Sequence, residues 1–286
     1  IAGNRSAASD PYGRKAEVMA HMPTRQPAPH PMSKVFITGA SSGIGRALAE
    51  YYAARGAQLA IVARRGELLQ HLAAHWPGQV DCYPLEVTDA AALRAAAEDF
   101  VARRGVPDIV IANAGVSVGT LSERSEDLDL IRRVMEVNFF GMAATFSPFI
   151  GRMRAAGGGR LVGIASVAGI RGLPGVEAYS ASKAAAISYL ESLRVELRDT
   201  GVKVLTICPG YVRTPMTDAN PYPMPFLLSA DVAAQRLARA IDRDRSYVVI
   251  PWQMAIVAKL LRLLPNALYD RLFAGAPRKP RQVLPG

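Results

Sequence analysis

The chain has 286 residues, half of them apolar, enough to bury a substantial core in one α/β domain with tails. Its formal charge of +10 sits mostly at the ends: six basic side chains against Asp270 put +5 on residues 252–286, and another +3 lies in residues 1–34. With no basic and aromatic residues interleaved on a folded face, nucleic-acid binding is excluded, and no apolar run is long enough for a membrane-spanning helix.

Residues 1–32 are rich in Pro, Ala, Ser and Arg without periodicity or the apolar core of a signal peptide. They are expected to be a disordered tail or a remnant of an expression vector. From residue 33 on, short apolar runs alternate with longer amphipathic ones. The runs 35–38, 58–63, 80–85, 109–112, 160–165, 202–208 and 247–250 are rich in Val, Ile and Leu and barely alternate. Such runs suit strands buried on both faces of a parallel sheet. Helices are expected at 43–55, 66–75, 89–104, 128–155, 177–199 and 231–244. The rhythm predicts a doubly wound, Rossmann-like seven-stranded sheet with helices on both faces, over 33–250. A helical extension and basic tail, 251–286, follow. Cys82 and Cys208 each lie in a strand-like run and read as buried thiols in a reducing, cytoplasmic protein.

Ligands of such sheets bind beyond the carboxyl ends of the strands. After the first strand comes Thr38-Gly39-Ala40-Ser41-Ser42-Gly43-Ile44-Gly45, a glycine-rich turn opening a helix. Its glycines allow tight turning and close approach, and the helix start offers N–H groups and a positive dipole end to a pyrophosphate. After the second strand, where an acidic residue would hold the ribose hydroxyls of NAD, stands Ala63, followed by Arg64 and Arg65. Two guanidinium forks suit the extra phosphate of NADP, so NADP(H) is the expected cofactor, with NAD(H) possible.

Tyr179 and Lys183 lie four apart near a helix start and so share one face. A nearby ammonium favours phenolate, which predicts a tyrosine pKa lowered toward working pH.

The conjunction of T-G-x-x-x-G-x-G, Asn113-Ala114-Gly115, Asn138, Ser166, Tyr179 with Lys183, and Pro209-Gly210 resembles the short-chain dehydrogenase/reductase family, in its shorter single-domain branch. The resemblance implies that Tyr179 is the acid/base, that Ser166 hydrogen-bonds the substrate oxygen, that Lys183 holds the nicotinamide ribose, and that Asn138 positions a water in a relay to Lys183. It further implies cofactor contacts from Gly39, Ser41, Ser42, Gly43, Ile44, Gly45, Glu86, Val87, Asn113, Ala114, Gly115, Pro209 and Gly210, and a nicotinamide carboxamide clamp from the Val212 backbone and the Thr214 hydroxyl. Two positions depart from the family pattern. Glu86 replaces an Asp or Asn, and Ala112 replaces the first Asn of N-N-A-G.

The activity implied is hydride transfer between a nicotinamide and a small-molecule carbonyl or secondary alcohol. The Pro-rich, aromatic stretch 215–228 predicts an apolar pocket wall, to which Leu173 and Val176 would add. The alternatives are a hydroxysteroid, sugar or 3-oxoacyl substrate, or a sensor or scaffold that binds NADP(H) without turnover. The extension, 252–273, reads as a cap on the substrate loop or a partner subunit, with membrane-surface contact as the rival. A homodimer or homotetramer through helices 128–155 and 177–199 is implied by the resemblance alone. No metal site is expected.

Overall fold

Seven strands form the centre of the chain: β1 (Lys34–Thr38), β2 (Gln58–Ala63), β3 (Val80–Pro84), β4 (Ile109–Ala112), β5 (Gly159–Ile164), β6 (Val202–Pro209) and β7 (Tyr247–Ile250). In this computed structural model the described residues are 33–218 and 220–281; the tail expected at 1–32 lies outside them. The strands are all parallel, in the order β3-β2-β1-β4-β5-β6-β7. The order reverses between β1 and β4, and the crevice of a doubly wound sheet opens there.

The absence of alternation in the strand sequences has its cause in two cores. Val35 and Ile37 of β1 turn to one face, joining Leu48, Leu59, Ile61, Leu237 and Ile241. Phe36, between them, turns to the other, among Phe100, Val110, Phe146, Phe149 and Leu190. Phe36 meets the Phe149 ring with centroids 4.9 Å apart and the Phe100 ring edge-on at 6.0 Å. Complete burial of each such side chain contributes about 1.5–3 kcal/mol.

The helices are α1 (Gly43–Ala53), α2 (Gly66–Ala73), α3 (Ala90–Arg104), α4 (Asp127–Met135), α5 (Gly141–Ala155), α6 (Glu177–Glu196), α7 (Pro215–Asp218), α8 (Ala230–Asp242), α9 (Trp252–Leu263) and α10 (Asn266–Phe273). Asp89 caps α3 by accepting from the Ala92 N–H at 2.9 Å, and Ser229 caps α8 through the Val232 N–H at 3.3 Å. The helix expected to run unbroken over 128–155 is instead two helices joined by a π-helical turn, Glu136–Phe140. Insertions of this kind loosen the helical ladder locally and accompany functional side chains. Here the turn carries Asn138. The short helix α7 opens the stretch 215–228, expected to form a pocket wall.

Arg171 holds the extension to the body. It donates to the carbonyls of Arg262 and Leu264, at 3.2 and 3.1 Å, and lies over the Tyr269 ring at 4.2 Å. The outward side of α9 leaves Trp252, Ile256, Leu260 and Leu263 more than half exposed. No helix among the described residues is long and apolar enough to cross a membrane. Cys82 and Cys208 are both free thiols.

Candidate active site

The carboxyl ends of β1, β2, β4, β5 and β6 surround a cleft of about 610 Å³. The glycine-rich turn forms one wall. Gly39 has φ +71°, a left-handed conformation that favours glycine, and its N–H donates to the Val62 carbonyl at 2.8 Å. Gly45 is fixed by space, since a Cβ there would lie 2.2 Å from the Gly39 carbonyl oxygen. This brings α1 tightly against β1. The Asn113 amide then ties the turn from the other side, donating to the carbonyls of Thr38 and Gly39 at 3.0 and 3.2 Å. Ala112, the departure from N-N-A-G, is buried in the core beside it.

At the end of β2 the two arginines behave differently. Arg65 donates through Nη2 to the hydroxyls of Ser41 and Ser42, at 3.0 and 3.1 Å. A cation and two hydroxyls thus converge at the cleft edge. Arg64 lies 3.7 Å from the carboxylate of Glu86, which also forms a close pair with Arg133 of α4. The longer side chain at position 86 lets that carboxylate reach both arginines. Arg133 was not legible in the sequence as a site residue, because only the packing of α4 brings it to the cleft; Leu130 enters the lining for the same reason.

The catalytic candidates come from four segments. Ser166 follows β5 and starts a 3₁₀ turn, its Oγ accepting from the Ala168 N–H at 3.1 Å. Tyr179 of α6 lines the same cleft, near enough for the Ser166 hydroxyl to act on its phenol. Lys183, one turn along α6, is almost wholly buried and donates to the Ile164 carbonyl at 2.8 Å. Its Nζ lies 5.9 Å from the centre of the Tyr179 ring. Asn138, fully buried in the π-helical turn, closes a two-way bond with the backbone of Val116: Oδ1 accepts from the N–H at 2.8 Å and Nδ2 donates to the carbonyl at 2.9 Å. A Cβ on Gly115 would lie 3.2 Å from Asn138 Oδ1 and 3.6 Å from Lys183 Nζ, so glycine keeps these groups near one another.

The electrostatics correct one expectation. Burial raises the Tyr179 pKa above 10, only partly opposed by the nearby Ser166 hydroxyl. The ammonium does not dominate. Burial also lowers Lys183, to about 8. Desolvation disfavours whichever form is charged, and at both residues it is the largest cause of the shift.

Of the sequence-predicted cofactor residues, Gly39, Ser41, Ser42, Gly43, Ile44, Arg64, Arg65, Glu86, Val87, Asn113, Ala114, Gly115, Pro209, Gly210, Val212 and Thr214 line the cleft, with Ser166, Tyr179 and Lys183. Gly45 and Asn138 stand behind it as packing and tethering residues. Thr217 of α7 was not anticipated. Its hydroxyl donates to the Val212 carbonyl at 2.7 Å and accepts from the Thr214 N–H at 3.0 Å, which holds the Val212–Thr214 turn in place. Among the described residues of the expected apolar wall, Pro215, Met216 and Thr217 line this cleft; Phe226 is half exposed.

A glycine-rich phosphate turn at the switch point of a parallel sheet, with a Ser, a Tyr and a Lys gathered beyond it, defines a dinucleotide-dependent oxidoreductase. Residues 33–222 match the family model described as short chain dehydrogenase. An oxidoreductase of Myxococcus xanthus is 41% identical over 237 residues, covering 82% of this chain and 93% of its own length. The dehydrogenase/reductase SDR family member 7B of Bos taurus is 34% identical over 269 residues, covering 87% of this chain and 82% of its own. Among solved structures, a short chain dehydrogenase/reductase of Burkholderia phymatum in complex with NAD superposes with a TM-score of 0.74 at 25% identity, covering 89% of this chain and 98% of its own. The chain belongs to the short-chain dehydrogenase/reductase family. It is an oxidoreductase acting on CH–OH groups, with a fold that binds a nicotinamide cofactor.

Proposed function

We propose that the protein transfers hydride between NADP(H) and the carbonyl or secondary alcohol carbon of a mainly apolar small molecule. The observation that carries this reading is the gathering of Ser166, Tyr179 and Lys183 at one cleft, with the Lys183 ammonium 5.9 Å from the centre of the Tyr179 ring. When bound, the nicotinamide supplies or accepts the hydride. A phenol with its pKa above 10 is protonated at neutral pH, the state in which Tyr179 gives its proton to a carbonyl oxygen. Ser166 donates a hydrogen bond to that oxygen and so stabilises the charge that develops on it. Lys183 holds the ribose hydroxyls, and Asn138 anchors a relay that returns a proton toward Lys183. Val212 and Thr214 fix the orientation of the carboxamide.

Preference for NADP(H) is supported by Arg65, whose guanidinium meets two hydroxyls rather than a carboxylate. Together they form a donor set matched to a phosphate dianion. Exposed Phe140 and Val195, on the helical segments that the resemblance assigns to subunit contacts, support a homodimer or homotetramer. Free thiols at Cys82 and Cys208 suit a reducing, cytoplasmic setting.

A Tyr179→Phe variant tests the proposal. It is expected to lose carbonyl-dependent NADPH oxidation while binding NADPH as before. Turnover at the unmodified rate would overturn the assigned role, and absence of turnover from the parent protein across a panel of ketones and aldehydes would favour a sensor or scaffold.

A further inference from the structure

The segment following α10 does not trail into solvent. Residues 274–281 run back over the loop that leaves β4. The Gly119 N–H donates to the Pro280 carbonyl at 3.2 Å, and a Cβ on Gly119 would lie 2.2 Å from the Lys279 carbonyl oxygen. Position 119 therefore admits the returning chain because it carries no side chain. The end of the segment is held by Arg281, which donates through Nε to the Asp127 carboxylate at 3.0 Å. Asp127 is fully buried, accepts also from the Leu121 N–H at 2.8 Å, and has its pKa lowered chiefly by the Arg281 hydrogen bond.

Two residues earlier, Lys279 is placed quite differently. Its ammonium donates to the Ser117 hydroxyl and to the Met216 carbonyl, both at 3.1 Å. Ser117 lies on the loop after β4, two positions beyond Gly115, and Met216 lies in α7 after β6 and lines the cleft with Tyr179. Lys279 thus ties the loop after β4 to α7, beside the cleft that Val116 and Met216 line. Both of its hydrogen-bond partners are neutral oxygens. Burial lowers its pKa to about 8, the signature of a cation whose lost hydration is not repaid by a counter-charge. An ammonium has three donors, and two are used. Arg281 latches the segment; Lys279 is presented by it.

We infer that Lys279 is a specificity-determining residue of the substrate cleft, its ammonium receiving a carboxylate carried by the carbonyl substrate. This rests on the hydride-transfer reading, which makes the cleft beyond Tyr179 and Met216 the substrate side. The substrate class it defines is an oxo or hydroxy acid with an apolar chain: the chain meets Met216 and Val116, and the acid group meets Lys279.

Octanoate and octanamide serve as probes, alike in chain length and differing in charge. Their affinities for the full protein are measured by calorimetry with and without NADPH. Octanoate is expected to bind about tenfold more tightly than octanamide, as one charge-assisted hydrogen bond provides. Lys279→Met is expected to remove that difference and Lys279→Arg to keep it. Equal affinity for the two probes, no binding of either, or a preference that survives in Lys279→Met would overturn the inference. So would an equal weakening of both probes in Lys279→Met, because a lysine that merely pins the segment acts on both alike. NADPH affinity in the same samples reports separately on the cofactor reading: its loss would overturn that reading, and the comparison of probes without NADPH would still decide the role of Lys279.

Discussion

The Lys183 ammonium donates to the Ile164 carbonyl oxygen at 2.8 Å, at the point where β5 gives way to the turn that carries Ser166. That single bond couples the helix bearing Tyr179 to the strand end bearing Ser166. It fixes the acid and the hydroxyl relative to one another through the backbone.

The same ammonium is a burden on folding. Burial lowers its pKa from 10.5 to about 8, a cost of about 3 kcal/mol, offset by about 1 kcal/mol from the hydrogen bond. Below pH 8 both folded and unfolded chains hold the proton and the full cost applies. Between pH 8 and 10.5 the unfolded chain binds the proton and the folded one does not, so this site's contribution to stability rises with pH. Lys183→Met is therefore expected to be more stable than the parent at pH 7, by about 2 kcal/mol in urea unfolding. The advantage should shrink above pH 8, and carbonyl reduction should be lost. A variant less stable at pH 7 would show that the hydrogen bond outweighs desolvation.

At the other end of the cleft, Arg65→Asp should reverse cofactor preference. Charge-assisted hydrogen bonds contribute about 1.5–3 kcal/mol each, so the Kd for NADPH is expected to rise at least about tenfold. The Kd for NADH should stay level or fall. Arg64→Asp should have the smaller effect, because Arg64 already lies against Glu86. Fluorescence titration of each variant with both cofactors decides the matter, and equal shifts for NADPH and NADH would count against a phosphate contact.

Gly45→Ala tests the packing of the phosphate turn. The added methyl would lie 2.2 Å from the Gly39 carbonyl oxygen, and backbone must move to admit it. A loss of about 1–3 kcal/mol is expected, with weakened binding of both dinucleotides. Unchanged stability and cofactor affinity would mean that α1 is not held as closely to β1 as the structure requires.

The strands were readable almost residue by residue, because a strand buried on both faces leaves its mark within a few consecutive positions, as in Phe36 between Val35 and Ile37. The turn Thr38–Gly45 and the pair Tyr179 and Lys183 were readable for a related reason: backbone conformation and helical spacing are local. Asn138 was found by its place in a motif, but its partner, the Val116 backbone, and the π-helical turn around it were not. A widened helical turn leaves no periodic signature that distinguishes it from a continuous helix.

The amino-acid order alone determined the parallel sheet, the positions of its loops and the identity of the groups gathered at them. Tertiary structure alone decided which charges compensate one another: Glu86 between Arg64 and Arg133, Arg281 on buried Asp127, Lys279 on two neutral oxygens. It also decided that burial would raise Tyr179 rather than let Lys183 lower it. Pattern resides in neighbours along the chain, whereas desolvation and ion pairing depend on what distant segments place around a group once it has left water.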